Sequence, residues 1–151
     1  MTDENSITHG ACRCGQVRLK VQGKPLMTMA CHCKGCQRMT ASAFSLSALF
    51  PEASVEITGL DPVIGGMHGE LKHNFCPHCL SWIFTRADML GPLINIRSSM
   101  LDHTAEIAPF IETCAAEKLP WVTVPVRHSY EQFPPMEAFP ALLAEFAETS
   151  R

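Results

Sequence analysis

Cys76-Pro77-His78-Cys79 places two thiols three positions apart around a proline, and Cys12-Arg13-Cys14-Gly15 places two more two positions apart ahead of a glycine. A pair of this kind supplies half of a metal site, because zinc takes about four ligands in a tetrahedron with sulfur about 2.3 Å away. Both sulfurs of a pair reach one ion when the chain turns sharply, and Gly15 and Pro77 suit such turns. The two pairs are natural complements. Cys12, Cys14, Cys76 and Cys79 together make a closed site that joins the start of the domain to its middle, and the long loop between the pairs makes it a substantial cross-link.

A third cluster, Cys31-His32-Cys33-Lys34-Gly35-Cys36, brings three thiols close together. Three protein ligands plus an open position is the arrangement of catalytic zinc. The alternative is a second closed structural site, completed by Cys114 or a histidine, and spacing alone leaves both readings open. A redox dithiol of Cys33 and Cys36 is a weaker third reading, since such pairs usually open a helix in a βαβ setting that the pattern does not show. His32 and His78 lie between ligands and are expected to point away from the metal, exposed. His73 falls in a strand pattern and reads as a structural histidine. Cys114 stands alone and reads as a small buried hydrophobe.

Outward from the clusters, Val17, Leu19 and Val21 alternate with Arg18, Lys20 and Gln22, which predicts a half-buried strand. Phe44–Leu49 alternates similarly. Further short strands are expected at Val55–Ile57, Leu71–Phe75, Trp82–Phe84, Leu93–Ile96 and Trp121–Val124, with turn formers such as Gly23-Lys24-Pro25 and Gly65-Gly66 between them. Many short strands with frequent turns predict a mostly antiparallel β domain. At the C-terminus, Phe139, Leu142, Leu143 and Phe146 share one helical face. Pro140 is tolerable only in a first turn, so a helix packed on the β core should begin near Phe139. The expected organisation is a loose tail over residues 1–8 and a single domain over 9–151.

The chain has 151 residues, 46% hydrophobic and 18% charged, enough to bury a core without disulfide staples. A net charge of −3 and the lack of any lysine/arginine run give no footprint for nucleic acid or an acidic membrane. The polar, acidic start Met1-Thr2-Asp3-Glu4-Asn5-Ser6 does not read as a secretory signal, and no apolar run approaches the roughly 18 residues of a membrane span. A cytoplasmic protein is therefore expected, and in a reducing compartment clustered cysteines read as metal ligands or catalytic thiols rather than disulfides.

The motifs Gly10-Ala11-Cys12-Arg13-Cys14-Gly15-Gln16-Val17, Cys31-His32-Cys33-Lys34-Gly35-Cys36-Gln37 and Asn74-Phe75-Cys76-Pro77-His78-Cys79 resemble the glutathione-dependent formaldehyde-activating enzymes, whose relatives include centromere protein V. The likeness continues through Asn95-Ile96-Arg97, Leu101-Asp102 and Leu119-Pro120-Trp121-Val122. The resemblance implies a zinc-organised β-tent fold. It implies a structural zinc on Cys12, Cys14, Cys76 and Cys79 and a catalytic zinc on Cys31, Cys33 and Cys36. The reaction it implies joins formaldehyde to glutathione as S-hydroxymethylglutathione, a carbon–sulfur lyase or synthase activity. Leu80 departs from the family, which usually has a glycine after the third cluster, so the local turn is expected to differ. The segment Met39–Phe44 only approximates the family's small residues before its aromatic.

Three thiolates make a zinc ion a weak Lewis acid, which favours thiol binding at the open position and attack on the aldehyde. Lys34, Arg38 and Arg97 are candidates to hold glutathione carboxylates. The competing class is a non-catalytic binding module with two structural zinc sites. The ligand count at the middle cluster discriminates the two.

Overall fold

The computed structural model describes residues 5–67 and 69–149. Among these, the strands in chain order are β1 (Ile7–Ala11), β2 (Val17–Gln22), β3 (Met27–Cys31), β4 (Ser45–Pro51), β5 (Val55–Gly59) and β6 (Val63–Gly65). They continue as β7 (Lys72–Phe75), β8 (Trp82–Arg86), β9 (Leu93–Arg97), β10 (Ile111–Thr113) and β11 (His128–Ser129), and the α-helices are α1 (Lys34–Thr40) and α2 (Phe139–Thr149). The fold is mostly β with short, largely antiparallel strands and a C-terminal helix.

Two sheets form. One has three strands in the order β1-β2-β5, and the other has eight in the order β11-β10-β3-β4-β9-β8-β7-β6. In β2 the alternation read from sequence is the observed burial: Val17, Leu19 and Val21 are inside, with charged or polar neighbours outside. They pack with Ala48 and Phe50 of β4, Phe84 of β8, and Ile94 and Ile96 of β9, so one core joins the two sheets. A second cluster seats α2, whose Leu142 and Phe146 pack with Met27, Leu49, Phe110 and Ile111. Burial of each such side chain contributes about 1.5–3 kcal/mol, and this, rather than helix propensity, holds a helix of this length. The helix begins at Phe139, as Pro140 requires.

Glycine places one strand end beside the first cysteine pair. Gly59, at φ +88, ends β5 so close to Gln16 that an added Cβ would collide with the Gln16 carbonyl oxygen. That same carbonyl accepts the Leu60 N–H at 2.8 Å.

Several expectations need correction. Ile7 and Thr8 are not tail but part of β1, paired with Gln22 and Val21; residues 1–4 and 150–151 lie outside the described residues. Trp121–Val124 alternates in burial but is not a strand. Pro120 and Pro125 flank it and lack the N–H that a ladder needs. The sheets are mostly antiparallel, as expected, and β10 alone runs parallel to its partners β3 and β11. A helix, α1, follows the middle cysteine motif where none was expected. It begins because Cys33, in an extended conformation, caps it with a sulfur that accepts the Cys36 N–H at 3.3 Å. It ends at Ala41, in the left-handed region at φ 50.

Candidate metal centre

Cys12 follows β1 and Cys14 sits in the turn before β2. The Cys12 sulfur accepts the Val17 N–H at 3.3 Å, and Gly15, at φ +78, turns the chain between them. Cys76 follows β7 and Cys79 precedes β8. The Cys76 sulfur accepts the Cys79 N–H at 3.5 Å, and Leu80 N–H returns to the Cys76 carbonyl at 2.9 Å. The four sulfurs lie within 4.8 Å of one another, with Cys12–Cys14 at 3.5 Å and Cys14–Cys76 at 3.7 Å. A tetrahedron of sulfurs about 2.3 Å from zinc has edges of about 3.8 Å, so the donor set has the size of a four-thiolate zinc site. The turn at Leu80 does not open to accommodate leucine. Leu80 instead takes the left-handed conformation at φ 61 that a glycine would take without strain.

The protonation of these sulfurs is unequal. Burial raises the Cys79 thiol, but hydrogen bonds from the Ser81 side chain and backbone and from Cys14 outweigh it and bring Cys79 to about 5. The Gln16 backbone lowers Cys14, but desolvation and its bonds to Cys12, Cys79 and Cys76 push it up to about 11. Four sulfurs this close cannot all carry charge unless a cation joins them.

At the middle cluster, Cys31 ends β3 between Ser45 of β4 and Thr113 of β10, while Cys33 caps α1 and Cys36 lies in its first turn. These three sulfurs also lie within 4.8 Å of one another. A hydrogen bond from Cys36, helped by Thr113 and Cys33, overcomes burial and brings Cys31 down to about 5. The same bond to Cys31, with burial, pushes Cys36 far above the ordinary thiol range. Among the described residues, no histidine, carboxylate or fourth thiol joins this group. Cys114 is buried, as expected, but is not isolated. Burial and the charge and side chain of Cys31 raise it to about 12.

His32 contradicts its expectation of exposure. It is fully buried, and its Nε2 meets Glu112 Oε2 at 2.7 Å. The other Glu112 oxygen accepts from Ser129 Oγ at 2.8 Å and Lys118 Nζ at 3.1 Å. The residue between two ligands does point away from them, but into the neighbouring strand rather than solvent. His78 is exposed. His73 is buried, with Nδ1 at 2.8 Å from Thr85 Oγ1 and its ring edge-on to Trp82.

The three cationic candidates separate. Lys34 and Arg38 are exposed on α1, and Lys34 Nζ reaches Gln37 at 3.5 Å. Arg97 is buried at the end of β9, its guanidinium 4.0 Å above the Trp82 ring, with Nη1 donating to Ser45 Oγ at 3.4 Å. Burial lowers its pKa to about 10 against the opposing charges of Cys36 and Cys31, so it stays a cation at neutral pH. Sequence reasoning missed Glu112, Thr113, Ser45 and Trp82. The strands that carry Trp82 and Ser45 left a signal, but Glu112 and Thr113 act across strand pairings that no local pattern announces.

Two sheets bridged by a four-thiol cluster, with a three-thiol cluster on the larger sheet, define a β protein with two metal-competent centres. The chain belongs to the glutathione-dependent formaldehyde-activating enzyme family, which it matches over residues 7–117. Both thiol clusters lie within that span. No curated protein matches the chain in sequence. Among solved structures it is similar to a crystal structure of a Rhodobacter sphaeroides protein, at 19% identity and a TM-score of 0.49, covering 63% of this chain and 88% of that one. No helix among the described residues is long and apolar enough to cross a membrane.

Proposed function

We propose that the protein is a zinc-dependent enzyme of carbon–sulfur bond formation and cleavage, joining a thiol, glutathione in the family's named reaction, to formaldehyde or another small aldehyde. The observation that carries this reading is the convergence of Cys31, Cys33 and Cys36 with no fourth ligating side chain in their group among the described residues. A binding module with two structural sites would need a fourth protein ligand here. Cys114, whose thiol feels the charge of Cys31, stands outside the set in which every donor is within 4.8 Å of the others.

Cys12, Cys14, Cys76 and Cys79 would hold the structural zinc, and Cys31, Cys33 and Cys36 the second. A zinc ion bound there supplies a lowered pKa for a thiol. The chain's own residues supply the rest. The sheet fixes Cys31, the helix cap fixes Cys33 relative to Cys36, and Gln37 ties α1 down by donating to the carbonyls of His32 at 2.7 Å and Glu117 at 3.0 Å. Lys34 and Arg38, exposed on the same helix, are placed to meet an anionic substrate from solvent. A reducing, cytoplasmic setting suits eight free thiols.

The test combines metal analysis with zinc-edge X-ray absorption. Two zinc ions per chain, and a sulfur shell at one of them that gains a ligand with millimolar glutathione, support the reading. Carbon-13 formaldehyde and glutathione followed by NMR should then show faster adduct formation than without protein. An unchanged shell with four protein ligands at both ions would return the binding module to favour.

A further inference from the structure

We propose that Arg97 is the buried counter-cation of the middle cluster and a specificity-determining residue of that site, biasing its open position toward an anionic sulfur ligand over a neutral one. This rests on the reading of Cys31, Cys33 and Cys36 as a zinc site with a free position.

Arg97 is 7% exposed, yet its partners are few for a buried guanidinium. It faces the Trp82 ring, donates one long bond to Ser45, and its Nε has no hydrogen-bond partner among the described residues. A buried cation so partnered costs far more than these contacts return, unless an anion lies nearby. The sheet supplies one. Arg97 is opposite Ser47 in the β4–β9 pairing, Ser45 lies two residues along the same face of β4, and Ser45 is opposite Cys31 in the β3–β4 pairing. The guanidinium therefore lies diagonally across one sheet face from the Cys31 sulfur, with the Ser45 hydroxyl between. The Trp82 platform is itself braced, by Thr85 Oγ1 at 3.3 Å from its Nε1 and by the His73 and Phe75 rings.

The charge count gives this placement its meaning. A divalent cation held by three thiolates carries one net negative charge, and the guanidinium cancels it. An incoming thiol loses its proton to solvent and presents its sulfur lone pair to the open position, adding one negative charge. With Arg97 the site then ends one charge from neutrality. Without it, the site ends two charges away, in surroundings of low polarity where that difference is strongly felt. A neutral ligand adds no charge and does not feel the arginine in this way.

The test uses full-length protein loaded with cobalt(II), whose visible absorption reports its ligands. It is titrated with 2-mercaptoethanol, a thiol without carboxylates, and separately with imidazole. Arg97→Gln should weaken mercaptoethanol binding by about tenfold or more while imidazole binding stays within about twofold. Arg97→Lys should restore thiol binding to near the wild-type level. Equal losses for both ligands, or no loss for the thiol, would overturn the proposal. If Arg97→Gln does not fold, Arg97→Lys decides, since loss of thiol binding with the charge kept overturns a counter-cation role. Wild-type protein taking up only one equivalent of cobalt would sink the underlying site reading instead, and is distinguishable because no variant is needed to see it.

Discussion

Leu80 is a leucine at φ 61, a conformation that costs an L side chain about 1–2 kcal/mol. It is 68% exposed, so its side chain returns little packing. Leu80→Gly should therefore stabilise the loaded protein by about 0.5–1 kcal/mol after the extra unfolded-state freedom of glycine is deducted, raising the melting temperature by a few degrees in calorimetry. No change would mean that the turn is relaxed by something other than its dihedral. Glu112 carries the second residue-scale prediction. Burial raises its pKa, but bonds from Ser129, His32 and Lys118 win and hold it below the ordinary carboxylate range. A carboxyl with a depressed folded pKa contributes stability that is complete above its unfolded value and is lost as pH falls through the folded one. Glu112→Gln should cost about 2–4 kcal/mol near neutral pH. In paired urea titrations the gap to wild type should hold above the ordinary carboxylate range and narrow as the pH falls below it. At this scale the two thiol clusters were legible, because cysteine spacing is local. His32 was not, because the partner that buries it is 80 residues away.

The element that carries the middle cluster is α1, seven residues long and capped by one of the cluster's own sulfurs. The cap and the proposed metal-binding role of Cys33 can be separated. Cys33→Ser keeps a side chain that caps well, so it should lose the middle metal with little loss of fold. Cys33→Ala should lose the metal and a further ~1 kcal/mol of helix stability. Metal analysis with thermal unfolding of the two variants checks this, and equal melting temperatures would show that the cap contributes nothing. The helix was hidden in the sequence because seven residues containing Gly35 and Thr40 are too few to show a helical period, and the cysteines drew the reading toward ligation. β10 and β11, of three and two residues, carry no period at all, whereas β2 is long enough to show its alternation fully.

On the scale of the molecule, the four-thiol cluster bridges the hairpin β1–β2 of the small sheet to the hairpin β7–β8 of the large one. The shared core beneath it includes Cys12 and Cys76 themselves. Removing that metal should therefore loosen the attachment of one sheet to the other rather than a single loop. Cys76→Ser should release one zinc and lower the stability of the whole domain by several kcal/mol, read as a single cooperative shift in denaturant unfolding. Retention of two zinc ions with an unchanged transition would refute the bridge.

The placement of β10 sets an order on synthesis. Cys14 and Cys76 are 62 residues apart, so the four-thiol cluster can assemble as soon as Cys79 has left the ribosome. Thr113, which flanks Cys31 in the finished sheet, and Glu112, which holds His32, are made more than thirty residues later. A nascent chain thus passes through an interval in which the thiols of its first cluster are all made while Cys31 lacks the strand that pairs with it. The late strand completes the surroundings of a thiol that was translated early.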